Sequence, residues 1–168
     1  LITATGNALA VAEHVMYMIL SLSKGVTLYD TEVRSGNFKK NANQIETYEL
    51  FNKEILIAGF GRIGKNLIKR CLGFDMKVNV FDPFVNQSTI NSHGGNKVDN
   101  LETSIKTADF VSIHMPLNEK TKNLIDAKIL KTMKSNSIII NTARGGIINE
   151  IDLDNALKSK VIRAAGLD

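Results

Sequence analysis

Along most of this chain, short continuous apolar runs alternate with longer amphipathic stretches. Glu54-Ile55-Leu56-Ile57-Ala58 is apolar after its first residue, as a strand buried on both faces should be. Lys77–Phe81, Phe110–His114, Ser137–Asn141 and Ile162–Leu167 predict further strands. Between them, Arg62–Phe74, Leu101–Thr107, Asp126–Lys134 and Glu150–Lys158 carry helical periodicity. Val85–Gly95, rich in Asn, Ser and Gly, reads as loop. Strand–helix alternation with short connections predicts an α/β domain whose parallel sheet is covered by helices on both faces.

The first third of the chain has a different character. Ala8–Ser23 predicts a helix apolar almost all round, which implies burial between two layers or two domains. Val26–Ser35 predicts a second, more polar helix, stopped by Gly36-Asn37. Asn41–Asn52 is polar and reads as a linker into the sheet. The expected organisation is therefore interface helices and linker over 1–52, followed by the sheet domain over 53–168. The apolar stretch Ala8–Leu22 is interrupted by Glu13 and His14 and is too short to span a membrane, so no membrane partner is expected.

Composition narrows the function classes. At 168 residues and 43% hydrophobic content, the chain can build one well-packed globular domain. The formal charge of +4 is modest; Lys39-Lys40 and the stretch from Lys120 to Lys134 read as solvated faces. Without an aromatic or arginine-rich stripe, no nucleic-acid partner is expected. Cys71, the single cysteine, reads as a small buried apolar group and cannot form an internal disulfide. Nothing points to an oxidising compartment or a leader segment, so a cytoplasmic location is expected. The chain begins at Leu1 and stops just after an apolar run, which suggests a piece of a longer protein. No metal site is expected.

The clearest chemical signal is Gly59-Phe60-Gly61-Arg62-Ile63-Gly64, which follows a predicted strand and opens a predicted helix. Gly59 allows a tight turn, Gly61 lets the backbone approach a pyrophosphate, and Gly64 allows close helix–strand packing. Free N–H groups around Arg62 and Ile63 would face the phosphate oxygens. Asp82 closes the next strand, 18 positions after Gly64, where a carboxylate accepts hydrogen bonds from ribose hydroxyls. Pro83-Phe84-Val85 offers no cation for a 2′-phosphate, so the cofactor expected is NAD rather than NADP. The architecture this predicts is a Rossmann-type doubly wound parallel sheet.

Five blocks in order carry a family resemblance over essentially the whole chain. They are Asn7-Ala8-Leu9-Ala10-Val11-Ala12-Glu13-His14, the glycine loop with Phe81-Asp82-Pro83, His114-Met115-Pro116-Leu117, Asn141-Thr142-Ala143-Arg144-Gly145-Gly146, and Ala165-Gly166-Leu167-Asp168. Together they resemble the D-isomer-specific 2-hydroxyacid dehydrogenases, most of all the phosphoglycerate and hydroxypyruvate/glyoxylate branches. The resemblance implies the NAD-binding domain of a two-domain oxidoreductase, with hydride transfer between nicotinamide and C2 of a small 2-hydroxy or 2-keto acid. It implies that Arg144 binds the substrate carboxylate and polarises the keto oxygen, a task suited to a planar, bidentate guanidinium. It assigns Asp168 to the nicotinamide carboxamide, Met115 and Pro116 to the adenosine half, and Thr142 to the nicotinamide side. A homodimer through the NAD domain is implied as well.

The same resemblance implies a histidine acid–base and a carboxylate that tunes it, both lying beyond Asp168 in the family pattern. These residues alone are therefore expected to bind NADH weakly and to reduce no keto acid. His114 is expected to be structural, His14 to anchor its helix, and His93 to be solvated. Two other readings stand beside the dehydrogenase. An NAD-sensing corepressor-like module would share the loop and Asp82, but no partner-docking motif is visible. A methyltransferase would share Asp82 but gives Arg144-Gly145-Gly146 no purpose.

Overall fold

The computed structural model describes residues 6–38 and 46–168. Lys39-Lys40 and the first part of the expected linker lie outside the described residues. Two helices come first, α1 (Ala8–Lys24) and α2 (Val26–Arg34), separated at Gly25, whose φ of 63° turns the chain. The alternating part then runs β1 (Glu54–Ala58), α3 (Arg62–Gly73), β2 (Lys77–Phe81), α4 (Gln87–Asn91) and β3 (Asn96–Val98). It continues through α5 (Leu101–Thr107), β4 (Phe110–Ile113), α6 (Ala127–Leu130), β5 (Ile138–Asn141), α7 (Glu150–Lys158) and β6 (Ala164–Leu167).

The six strands form one sheet in the order β3-β2-β1-β4-β5-β6, and every neighbouring pair is parallel. This is the Rossmann-type doubly wound arrangement expected from the sequence. Its order reverses between β1 and β4, where Ile55 lies opposite Phe110 and Ala58 opposite Ile113. Side-chain alternation along β1 sends Ile55 and Ile57 to one face and Leu56 and Ala58 to the other. The first face is covered by α1, α3 and α4, through Val15, Ile19, Leu67, Ile68 and Ile90. The second is covered by α5, α6 and α7, through Ile105, Leu130 and Leu153. Fully burying each such side chain contributes about 1.5–3 kcal/mol, so the two apolar faces hold the layers together.

The structure corrects several boundaries. The stretch read as loop over Val85–Gly95 contains α4, because the Asn86 side chain accepts the Thr89 N–H at 2.8 Å and caps a turn that buries Ile90. β3 lies outside the expected strands: three residues, Asn96-Lys97-Val98, are too short and polar to show a strand pattern. Of the helix expected over Asp126–Lys134, only Ala127–Leu130 is α-helical. Tighter turns follow, with Thr132 N–H on Ile129 O and Met133 N–H on Leu130 O. The strand expected over Phe110–His114 ends at Ile113, although His114 N–H still reaches Ala58 O at 2.7 Å.

α1 is not buried all round within this chain. Ala12, Val15, Met16 and Ile19 pack inward, whereas Leu9 is 50% and Tyr17 61% exposed. Its inner face reaches the far edge of the sheet. A Cβ added at Gly166 would stand 2.9 Å from Met18 Sδ, so glycine in β6 lets α1 lie close. The described part of the linker is anchored too: Leu50 is buried, and the Tyr48 ring lies beneath the Arg163 guanidinium at 4.9 Å. Among the described residues, no single helix is long and apolar enough to cross a membrane.

Candidate functional site

Everything the sequence marked as chemical lies at the carboxyl ends of the strands, where open α/β sheets bind their ligands. The chain leaves β1 through Gly59, whose φ is 105°. A Cβ there would lie 2.7 Å from the His114 carbonyl oxygen and 2.8 Å from its carbon, so the turn packs directly on the end of β4. Gly64, in the first turn of α3, is equally constrained: a Cβ would meet the Gly59 carbonyl oxygen at 2.5 Å. Gly61 is the opposite case. A Cβ on it would find nothing within 4 Å. That open volume sits at the N-cap of α3, where no side chain accepts from the helix. The first-turn N–H groups of Arg62, Ile63 and Gly64 are therefore available to an anion.

Asp82, at the end of β2, stands beside this turn. Its Oδ2 accepts the Phe60 N–H at 2.7 Å and its Oδ1 accepts the Phe84 N–H at 2.9 Å. Each carboxylate oxygen keeps a second lone pair, which leaves acceptor capacity for hydroxyl donors. From here a cleft of about 900 Å³ opens across the ends of β2, β3 and β4. Gly59, Gly61, Asp82, Met115 and Pro116 line it, and its outer wall includes Asn100, Asn118 and Thr121. The fit to a nucleotide is thus physical: open space at Gly61 beside N–H groups that no side chain caps, a carboxylate next to it, and an adjoining cleft.

The second set of expected residues lies outside that cleft, past β5 and β6. Asn141 is only 6% exposed. Its side chain accepts the Ala143 N–H at 3.0 Å and donates to Arg144 O at 2.8 Å. Arg144 is exposed; its Nη1 donates to Ala143 O at 2.7 Å, and it meets no carboxylate among the described residues. Thr142 Oγ1 is enclosed and has no hydrogen-bond partner among the described residues. Asp168 is exposed, and its N–H donates to Asn141 O at 3.1 Å. Asn141 has no role in the resemblance, yet a carboxamide closing a strand of three isoleucines is the signal in the sequence that marks it.

The histidines separate clearly. His114 Nε2 pairs with Ser112 Oγ at 2.8 Å, and its Nδ1 is enclosed without a partner among the described residues. Burial pushes its pKa down to about 4, so the ring is neutral at pH 7. His93 is not simply solvated as expected: its ring stands edge-on to Phe60 at 5.4 Å, and its Nδ1 lies 2.8 Å from Thr89 O. His14 stacks on Tyr17 at 5.9 Å. Within the stretch read as solvated from Lys120 to Lys134, Lys134 instead pairs with Asp109 at 2.8 Å, and Lys120 and Lys128 line the cleft.

Residues 16–168 match the family described as D-isomer specific 2-hydroxyacid dehydrogenase, NAD binding domain. The chain is 35% identical over 162 residues to D-3-phosphoglycerate dehydrogenase of Methanocaldococcus jannaschii, covering 96% of this chain and 30% of that protein. It is 38% identical over 164 residues to glyoxylate reductase of Thermococcus litoralis, covering 95% and 49%. The solved structure of Granulicella m. formate dehydrogenase superposes with a TM-score of 0.92 at 28% identity, over 99% of this chain and 44% of that one. The chain thus spans 30% to 49% of the length of these three proteins. With the fold, the glycine turn and this match in agreement, the chain belongs to the D-isomer-specific 2-hydroxyacid dehydrogenase family, as its NAD-binding domain.

Proposed function

We propose that this chain is the cofactor half of an oxidoreductase that interconverts a D-2-hydroxyacid and its 2-keto acid. The observation that carries the reading is the open space at Gly61, under the free N–H groups of α3 and beside the Asp82 carboxylate. Gly61, Arg62 and Ile63 hold the pyrophosphate through backbone N–H groups, and Gly59 and Gly64 give the turn its shape. Asp82 accepts from the ribose hydroxyls and repels a 2′-phosphate. Met115 and Pro116 form one wall of the adenosine cleft, and Thr142 and Asp168 stand on the nicotinamide side. Bound NAD supplies the hydride acceptor. Arg144, which gives one N–H to Ala143 O and meets no carboxylate among the described residues, binds the substrate carboxylate and draws charge from the keto oxygen.

The substrate class proposed is the phosphoglycerate or hydroxypyruvate/glyoxylate type, which the names D-3-phosphoglycerate dehydrogenase and glyoxylate reductase among the relatives above support in part. The exposed apolar residues of α1, Leu9 and Tyr17, support a homodimer built through this domain. The 168 residues by themselves reduce no keto acid on this reading: His14 stacks on Tyr17, His93 packs on Phe60 and Thr89 O, and His114 is tied to Ser112, which leaves the acid–base role without an occupant among them. The test is a fluorescence titration with NADH and NADPH. Saturable binding of NADH, about tenfold or more tighter than NADPH, is expected. Equal affinities would sink the Asp82 assignment, and absence of NADH binding would sink the whole reading.

A further inference from the structure

The ligand that the cleft and glycine turn accommodate begins beside Asp82 at the end of β2 and must run across the β1–β4 switch point. Its far half therefore reaches the carboxyl ends of β5 and β6. One buried side chain organises that region. Asn141 ends β5 after three isoleucines and is 6% exposed. Burying a carboxamide is unfavourable unless its donor and acceptor are both satisfied. Here both are satisfied by the next three residues alone: Oδ1 accepts the Ala143 N–H at 3.0 Å, and Nδ2 donates to Arg144 O at 2.8 Å. The backbone carbonyl of Asn141 accepts the Asp168 N–H at 3.1 Å. The side chain thus fixes the loop that carries Arg144, and the backbone carbonyl of the same residue joins the base of that loop to the end of β6. That loop spends little else on the protein. Arg144 commits one guanidinium bond to Ala143 O, and Thr142 Oγ1 is enclosed and unpartnered among the described residues.

We propose that Asn141 is a positioning residue for the nicotinamide side of the site, its side chain holding the loop of Thr142 and Arg144 in place beside the end of β6. The inference rests on the NAD reading above. An amide is required at this position because the two bonds need one donor and one acceptor; a carboxylate of the same shape offers only acceptors.

The experiment compares NADH with ADP-ribose, which lacks the nicotinamide, on the 168-residue chain and its Asn141→Asp and Asn141→Ala variants. Thermal midpoints are recorded alongside. Both variants should bind NADH about tenfold more weakly while ADP-ribose affinity stays within about twofold. A role confined to stability would leave the ratio of the two affinities unchanged. Unchanged NADH binding overturns the proposal. So does loss of both ligands by the same factor, unfolding included, which would assign Asn141 to the scaffold. Failure of the unaltered chain to bind either ligand overturns the NAD reading itself, and this inference with it.

Discussion

The Asp82 carboxylate accepts the Phe60 N–H at 2.7 Å, so the residue that closes β2 also holds the turn that follows β1. Recognition and turn geometry are coupled through one side chain. Asp82→Ala should weaken NADH binding about 10- to 100-fold and erase the preference over NADPH. It should also lower stability by about 1–2 kcal/mol, because two backbone N–H groups lose their acceptor. Titration with both nucleotides and urea denaturation separate the two effects. An Asp82→Ala variant that keeps its NADH preference would refute the assignment.

Gly59 and Gly61 should respond oppositely to a single added methyl. Gly59→Ala places a Cβ 2.7 Å from a backbone oxygen at a φ of 105° and should cost about 2–4 kcal/mol in urea denaturation. Gly61→Ala meets no protein atom within 4 Å, so the fold should keep its stability to within about 1 kcal/mol. Its NADH affinity should nevertheless fall about tenfold or more, since the methyl occupies the space left for phosphate.

His114 makes stability pH-dependent. Its pKa is held down to about 4 by burial, whereas an unfolded histidine titrates near 6.5. Between those values the unfolded chain takes up a proton that the folded chain refuses. Stability should therefore be greatest above about 6.5 and fall by about 2–3 kcal/mol as the pH drops toward 4. His114→Gln should flatten this window in urea denaturation curves measured from pH 4 to 7. Identical slopes for the two proteins would assign the window to other groups.

Cys71 is fully buried, with Met16 Sδ 3.8 Å from its Sγ, and burial pushes the thiol up to about 12. A thiol-specific reagent at pH 8 should leave the native chain unmodified over hours and label it completely in denaturant. Rapid labelling of the folded chain would show that α3 opens away from α1 far more readily than its packing suggests.

What could be read from the residues follows the physics of each element. β1, β4 and β5 announced themselves because strands covered on both faces must be continuously apolar. The glycine loop and Asp82 were legible because steric limits leave glycine alone at Gly59, and a strand end needs little tertiary context. α4 and β3 were not, since one depends on an Asn86 cap and the other on pairing with β2. His93 was misjudged for a similar reason: only the folded chain brings Phe60 to its ring. Asn141 stood in plain view, but its partners, Arg144 O and Ala143 N–H, become visible only once the loop turns back.

The sheet's central pairing also dictates an order of events during synthesis. β1 leaves the ribosome well before its partner β4, for Ile55 must wait for Phe110. Until then β2 can cover only one edge of an Ile-Leu-Ile-Ala ribbon, and the other edge has no neighbour. Parallel pairing across so long an intervening segment is slow, and an uncovered apolar edge is open to other chains. The same switch point that creates a nucleotide cleft in the finished domain is, in the nascent chain, the seam most exposed to misassembly.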